Sequence, residues 1–136
     1  EIKYPGIPKI NVSIINELPF FINKTKIIPI YALHHKLPVL GFRIKNFIYL
    51  TDISEISVKE KLKMFNADLI ILDSLRREPH ISHLCLEQSL DLLTELKPKK
   101  AYLTHISHLM GLNDIVNKEL PKNIQLGYDG LNIKLS

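Results

Sequence analysis

The stretch Ala101-Tyr102-Leu103-Thr104-His105-Ile106-Ser107-His108 predicts a buried strand followed by two imidazoles. One comes directly after the apolar run and the other three residues later. Three further apolar runs also end in a polar residue: 31–34 (Tyr-Ala-Leu-His), 48–52 (Ile-Tyr-Leu-Thr-Asp) and 69–73 (Leu-Ile-Ile-Leu-Asp). In sheets that carry helices on their faces, ligands gather beyond the strand ends. A single polar residue after a strand is usually a turn former or a cap. Four such ends predict a site at one edge of a sheet, with chance repetition of turn formers as the alternative.

The histidines strengthen this prediction because all six fall into three tight groups. The groups are His34-His35, His80-x-x-His83 and His105-x-x-His108. Imidazoles with a carboxylate are preferred ligands of zinc and related divalent ions, and two close metals need a carboxylate that can span them. Successive side chains of a strand point to opposite faces, so at most one residue of the first pair faces the site. Two aspartates, Asp52 and Asp73, end strands between the outer groups, and their positions alone do not choose between them.

The first part of the chain predicts antiparallel β-structure. Strands are expected over 11–15, 20–22, 26–33, 39–44 and 47–50. The last two form a hairpin around Lys45-Asn46, two polar residues suited to a tight turn. Pro29 predicts a sheet edge or a bulge within the third strand, because proline cannot donate to a ladder.

The remainder of the chain predicts alternating helices and strands. Ser57 is the expected N-cap of a helix through 65, and Pro98 ends a second helix over 84–96. A third helix is expected over 109–119, and strands over 69–72, 100–104, 123–126 and 131–135, the last two turned by Asp129-Gly130. Helices that alternate with strands pack on the sheet, so the predicted fold class is α/β.

Composition indicates one ordinary globular domain over residues 1–136, with 46% apolar and 24% charged residues. The net charge of +4 comes from dispersed side chains, which argues against a nucleic-acid interface and slightly favours anionic substrates. The single cysteine, Cys85, cannot form an internal disulfide, so we expect a reducing compartment, the cytoplasm. No apolar run approaches the roughly 20 residues of a membrane-spanning helix, so no membrane partner is expected.

Several of these segments occur in the same order in hydrolases of the metallo-β-lactamase fold. They are His34 through Gly41, Tyr49-Leu50-Thr51-Asp52, Leu75-Arg76 followed by His80-x-x-His83, and Leu103-Thr104-His105-Ile106-Ser107-His108. Together they most resemble the branch that contains the phosphoribosyl cyclic phosphate phosphodiesterase of phosphonate breakdown. Gly127-Tyr128-Asp129-Gly130-Leu131 is similar to that branch too. The resemblance runs from about Tyr4 to the C-terminus.

The resemblance implies the αββα sandwich, of which this chain supplies the C-terminal half: a mixed sheet with helices on one face. It also implies two divalent ions, zinc or manganese, and hydrolysis of a small phosphorylated substrate by metal-activated water. His34 would bind one ion, Asp52 would bridge both, and His105 would bind the other. His83 would engage the scissile phosphate or protonate its leaving group. His80 and His108 would orient ligands, and Arg76 would help to hold a phosphate or be a surface residue.

The family's His-x-His-x-Asp-His motif, which supplies most of the metal ligands, is absent from these residues. The opening stretch, Glu1 to Pro8, also resembles the middle of a longer protein. We therefore expect a C-terminal part whose own ligands bind metal weakly or not at all, and which is inactive alone although the full-length protein is an enzyme. The missing half, or a second copy, would cover the apolar sheet face. The alternative is a non-catalytic interaction or structural module, which could self-associate.

Overall fold

Seven strands form one mixed sheet whose spatial order follows the chain. The computed structural model describes residues 10–135. The strands are Phe20–Ile22 (β1), Thr25–His34 (β2), Leu37–Ile44 (β3), Phe47–Leu50 (β4), Leu69–Asp73 (β5), Lys100–Thr104 (β6) and Ile124–Leu126 (β7). Strands β1 to β4 pair antiparallel and β4 to β7 pair parallel. Strand β2 runs parallel to β4 because both are antiparallel to β3. Strands β2, β4, β5 and β6 therefore end at one edge, called here the carboxyl edge.

The antiparallel part follows the predicted pattern. The hairpin around Lys45-Asn46 is confirmed, with Ile44 paired to Phe47 and Lys45 at φ 54°. Pro29 pairs with Phe42 of β3 at a point that β1 does not reach. Two residues on, the Tyr31 amide donates away from β3, to the Glu60 carboxylate. By the two-residue period of a strand, the Pro29 nitrogen points the same way, where no ladder bond is lost. The predicted edge position of Pro29 is therefore confirmed.

Three helices, Val58–Lys61 (α1), Leu86–Leu96 (α2) and Asn113–Glu119 (α3), are shorter than the sequence predicts. Ser57 caps α1 as expected, with its hydroxyl accepting from the Glu60 amide. The helix then ends early because the Arg43 guanidinium binds two carbonyls beyond it, those of Lys63 and Phe65. The helix predicted over 109–119 is also wrong at its start. Gly111, at φ 108°, separates a single 3₁₀ turn, His108–Met110, from α3.

The core lies between the helices and one face of the sheet. The buried strand residues on that face are Ile30, Ala32, Ile48, Leu50, Ile70, Leu72, Ala101, Leu103, Ile124 and Leu126, and they cluster with Met64, Leu93, Leu96 and Val116. The opposite side, called here the open face, carries Leu33, Phe42, Tyr49 and Ile71, and Tyr49 is 48% exposed. The predicted α/β class, a mixed sheet with helices on one face, is confirmed.

Two predicted strands are wrong. Residues 11–15 and 131–135 pair with no other strand of the described chain. Both segments have β-forming side chains, but a strand exists only where a neighbour takes up its amide and carbonyl groups. Ile133 and Leu135 instead line a cavity together with Ile44 and Phe47. The prediction for residues 1–8 falls outside the described residues. Within residues 10–135, every helix is too short or too polar to span a bilayer.

Candidate metal centre

Four predicted site residues meet at the carboxyl edge, each supplied by a different strand end. His34 is the last residue of β2, and Asp52 lies two residues after β4. His83 lies in the loop that joins β5 to α2, and His105 directly follows β6. Because these four strands run in the same direction, residues about 70 positions apart in sequence become neighbours. The prediction that polar strand ends converge at one edge of the sheet is confirmed for these residues.

The backbone turns sharply at two of these residues. Asp52 has φ 61° and His105 has φ 58°, both in the left-handed region. Residues other than glycine rarely adopt it, although aspartate and histidine are several-fold enriched there among the exceptions. Such conformations cost about 1–3 kcal/mol and cluster at functional sites, where the surroundings hold them in place. The two strand ends are therefore locally strained where Asp52 and His105 enter the cluster.

The side chains lie close enough to share an ion. The Asp52 Oδ1 atom is 3.2 Å from His105 Nε2 and 3.6 Å from His83 Nδ1. The His83 Nε2 atom lies 3.3 Å from His34 Nε2. Donor atoms from His34, Asp52 and His83 all fall within 4.8 Å of one another. Three imidazoles and one carboxylate thus form a single cluster, called here the His/Asp cluster.

The donor set of the His/Asp cluster fits a divalent metal ion. Tetrahedral coordination with bonds of about 2.0–2.1 Å places donor atoms about 3.4 Å apart, and three pairs of donor atoms here lie 3.2 to 3.6 Å apart. The two pairs that involve His83 use its opposite ring nitrogens, Nδ1 toward Asp52 and Nε2 toward His34. The His83 Nδ1 atom is buried and has no hydrogen-bond partner among residues 10–135. A buried nitrogen in that state needs a partner, and a cation is one that a carboxylate and neutral imidazoles would hold.

The protonation state of His83 suits this chemistry. Burial lowers the pKa of its imidazole, and the neighbouring His105 and His34 lower that pKa further. The Asp52 carboxylate acts in the opposite direction with a smaller effect. His83 is therefore neutral over a wider pH range than an ordinary histidine, so it does not repel a cation held by the residues around it.

The three residues predicted to support the site lie at different distances from the cluster. The His80 ring stacks on His83 with centroids 5.1 Å apart, and its Nδ1 lies 3.3 Å from the Ser82 amide. Arg76 donates to the carbonyls of Glu78 and Pro79, which links its guanidinium to its own loop. His108 is exposed in the 3₁₀ turn. His80 thus contacts the cluster directly, whereas the other two lie in the flanking loops.

The sequence pattern did not decide whether Asp52 or Asp73 is the carboxylate of the site. The two side chains have different surroundings in the structure. Asp73 is fully buried, and its carboxylate oxygens lie 3.4 Å from the Ile53 amide and 3.3 Å from the Leu84 amide.

Ser54 helps to hold the site in place, which the sequence pattern did not predict. Its hydroxyl donates to the Leu33 carbonyl and accepts from the His35 amide, which ties the loop after β4 to the end of β2. Short polar residues after a strand were the available signal for Ser54.

The buried Asp73 carboxyl predicts a pH dependence of folding. Burial raises the pKa of Asp73 to about 7, mainly by desolvation, from an ordinary value of 3.8. The folded chain then binds a proton that the unfolded chain releases, so the free energy of unfolding falls as pH rises from about 4 to above 7. The shift corresponds to at most about 4 kcal/mol. We expect urea unfolding of metal-free protein to show this decline, and Asp73→Asn to flatten it. An equal slope in both proteins would contradict the assignment.

A cavity of about 600 Å³ adjoins the cluster at His105. Its lining includes Thr104, Asn113 and Tyr128, and the apolar side chains of Ile71 and Tyr102. Gly127, Tyr128 and Asp129, from the Gly-Tyr-Asp-Gly segment of the sequence, therefore line the cavity beside the cluster.

Comparison with known proteins identifies the family. Residues 6–106 match the family model described as the beta-lactamase superfamily domain. The chain belongs to this family. Within the β-lactamase superfamily, it is similar to a solved structure described as a new diphosphatase from the PhnP family, at 33% identity and a TM-score of 0.86 over 90% of this chain. The predicted metallo-β-lactamase fold and the PhnP-like resemblance are thereby confirmed, and with them membership of a hydrolase family.

Further similarities extend the comparison. The Bacillus subtilis metallo-β-lactamase fold protein YhfI (18% identity, TM-score 0.72, 88% of this chain) and the short form of human tRNase Z (19%, 0.65, 86%) share the fold. An octanoyltransferase of Porphyromonas gingivalis is 32% identical over 130 residues, or 94% of this chain and 26% of that protein. The chain spans about half the length of the three solved structures, covering 48%, 54% and 46% of them in the order given.

Proposed function

We propose that this chain carries the C-terminal part of the active site of a metal-dependent phosphodiesterase. The observation that supports this most strongly is the His/Asp cluster, three imidazoles and a carboxylate with donor separations of 3.2 to 3.6 Å. The 33% identity to a diphosphatase of the PhnP family supports a phosphorylated substrate. Membership of the superfamily supports hydrolysis in general, and the phosphate preference rests on that one similarity.

In this proposal, His34 and His105 would each hold one divalent ion, and Asp52 would be the ligand that the two ions share. Zinc and manganese both accept imidazole and carboxylate ligands. Two bound ions would supply a nucleophile at neutral pH and would offset charge on the phosphoryl oxygens. The protein's own contribution is to fix the donors on four strand ends, so that little reorganisation is needed when substrate binds.

His83 is proposed to contact the scissile phosphate or to protonate its leaving group. It is the most central of the four, since its ring centroid lies 4.7 Å from that of His34 and 4.8 Å from that of His105. The stacked His80 ring limits its movement on another side. An anionic substrate would raise the low pKa of His83 again and so favour its protonated imidazolium, the form that has a proton to give to a leaving group.

The site is proposed to be completed by groups outside residues 10–135. Three imidazoles and one carboxylate leave two ions short of ligands, and the sequence lacks the His-x-His-x-Asp-His motif. The open face, with Tyr49 48% exposed, offers an apolar surface for a covering sheet. We propose that residues from elsewhere in the same gene product supply both the cover and the ligands. Binding of nucleic acid or a membrane forms no part of this proposal.

The second candidate is a non-catalytic module that associates through the open face. Its supporting observation is the exposure of apolar side chains on that face, with Leu33 36% and Tyr49 48% exposed. Two copies packed through these faces would bury them in a symmetric interface. This candidate predicts a dimer that lacks hydrolytic activity with any metal.

The two candidates are separated by assaying the protein as its gene encodes it. We expect purified protein loaded with manganese or zinc to hydrolyse bis(p-nitrophenyl) phosphate, and to lose that activity on treatment with EDTA. Re-addition of the metal should restore activity, because the ions supply the nucleophile. Parallel assays with inorganic diphosphate test whether a phosphoanhydride is preferred to a phosphodiester.

Activity that survives complete metal removal would contradict the proposal. So would a fully metal-loaded protein that cleaves neither substrate class. In the latter case, a dimeric mass by light scattering would support the second candidate, and a monomeric mass would contradict it.

A further inference from the structure

We propose that Asp73 is a positioning residue for the metal centre, and that it holds the loops carrying Asp52 and His83 at a fixed separation through their backbones. This inference rests on the proposed metal-dependent function. It assigns Asp73 no contact with metal or substrate. Its carboxylate acts on the backbone amides of Ile53 and Leu84, which immediately follow the two site residues.

The contacts of Asp73 form a bridge between two loops. Oδ1 lies 3.4 Å from the Ile53 amide in the loop after β4, and Oδ2 lies 3.3 Å from the Leu84 amide in the loop after β5. The Leu84 amide also donates to the Ile53 carbonyl at 2.8 Å, so the loops meet directly above the carboxylate. Loss of the carboxylate would leave the Ile53 amide without its side-chain acceptor. Asp52 and His83 are one covalent step from these anchored amides.

The third loop is tied to the same strand end. Asp73 pairs with Thr104, the residue before His105, and the Ser74 amide donates to the Thr104 carbonyl at 2.9 Å. On the other side, the Ser89 hydroxyl of α2 donates to the Asp73 carbonyl at 2.9 Å. The backbone of Asp73 is therefore hydrogen-bonded to both β6 and α2, which fixes the position of its carboxylate relative to the two loops.

Comparison with Glu60 indicates that Asp73 does more than stabilise the fold. These two are the buried carboxylates of residues 10–135. Glu60 receives the Lys63 ammonium at 2.7 Å as well as the Tyr31 amide, so its charge is compensated. Asp73 has no Lys or Arg partner among the described residues, and burying an uncompensated carboxylate is costly. The donors aligned on Asp73 are loop amides beside the cluster, and holding those loops is what the carboxylate accomplishes there.

The test compares Asp73→Ala, Asp73→Asn and Glu60→Gln in the protein as its gene encodes it. The probe is manganese, titrated against metal-free protein, with the free energy of unfolding measured alongside. Residues that orient metal ligands typically change affinity by about 10–100-fold. We expect Asp73→Ala to weaken manganese binding by that factor. Asp73→Asn should weaken it less, because its single carbonyl can still accept from one of the two amides. Glu60→Gln should lose stability without losing manganese affinity.

The proposal is overturned if folded Asp73→Ala binds manganese like the wild type. It is also overturned if Glu60→Gln weakens manganese binding as much as Asp73→Asn at a matched loss of stability. Should Asp73→Ala fail to fold, the Asn variant decides by the same comparison. Lack of hydrolysis by the wild-type protein would count against the proposed function alone, since manganese affinity still reports on Asp73.

Discussion

Asp52→Asn is expected to lose at least about 100-fold in kcat/KM and to bind no more than one metal ion per chain. The amide removes the negative charge and one of the two oxygens that would contact separate ions. Residues that merely orient metal ligands already cost about 10–100-fold when mutated, so loss of a shared ligand should cost more. The measurements are steady-state hydrolysis of bis(p-nitrophenyl) phosphate and metal content per chain by mass spectrometry. Asp52 is half exposed, so folding should be preserved.

A matched control is Asp68→Asn. Asp68 precedes β5 at the opposite end of the sheet, where it pairs with Lys99 on the surface. The same chemical change there should leave metal content and activity unaltered. If Asp52→Asn retained two ions and wild-type activity, Asp52 would not be the shared ligand.

Gly41→Ala is expected to lower the free energy of unfolding by at least about 2 kcal/mol, which is typical of an overpacked core. A Cβ atom at Gly41 would lie 2.5 Å from Leu50 Cδ1 and 2.8 Å from the Tyr49 carbonyl oxygen. The second contact is with backbone, so rotation of a side chain cannot relieve it. Strand β3 would have to move away from β4, which leads directly to Asp52. Urea unfolding monitored by circular dichroism measures the change.

The double variant Gly41→Ala/Leu50→Ala tests this explanation. Leu50→Ala alone should cost about 2–5 kcal/mol as a buried cavity mutation. In the double variant, the new methyl group occupies part of that cavity. The stability lost by the double variant should therefore be about 1 kcal/mol smaller than the sum of the losses of the two single variants. Strict additivity would show that the Leu50 contact does not limit the size of residue 41.

The sequence predicted the convergence of the site because it depends on strand direction, which apolar runs and their polar ends reveal. His34, Asp52 and His105 each follow a run that does become a strand. The choice of Asp52 over Asp73 came only from resemblance to a family. Burial separates the two: Asp73 sits beneath the loops and binds their amides, whereas Asp52 is half exposed within the cluster. That distinction depends on tertiary packing, which the pattern around a strand end does not contain.

The incorrect predictions share a physical cause. In each case the helix or strand pattern of the sequence continues past the residues at which the tertiary structure ends that helix or strand. Residues 131–135 alternate apolar and polar side chains like a strand, yet they lack a partner among the described residues. The helix after Ser57 stops because Arg43, from a distant strand, takes up carbonyls beyond its end. Gly111 interrupts the third predicted helix through its positive φ. The left-handed backbone at Asp52 and His105 was equally invisible, because neither residue type requires it.

The most direct test of the metal centre is anomalous diffraction from crystals of the protein as its gene encodes it, grown with zinc and recorded at the zinc absorption edge. We expect anomalous peaks at about 2.0–2.2 Å from the Asp52 carboxylate, with His34 and His105 nitrogens at bonding distance from separate peaks. Fully occupied zinc sites elsewhere in the protein, with none beside Asp52, would contradict it.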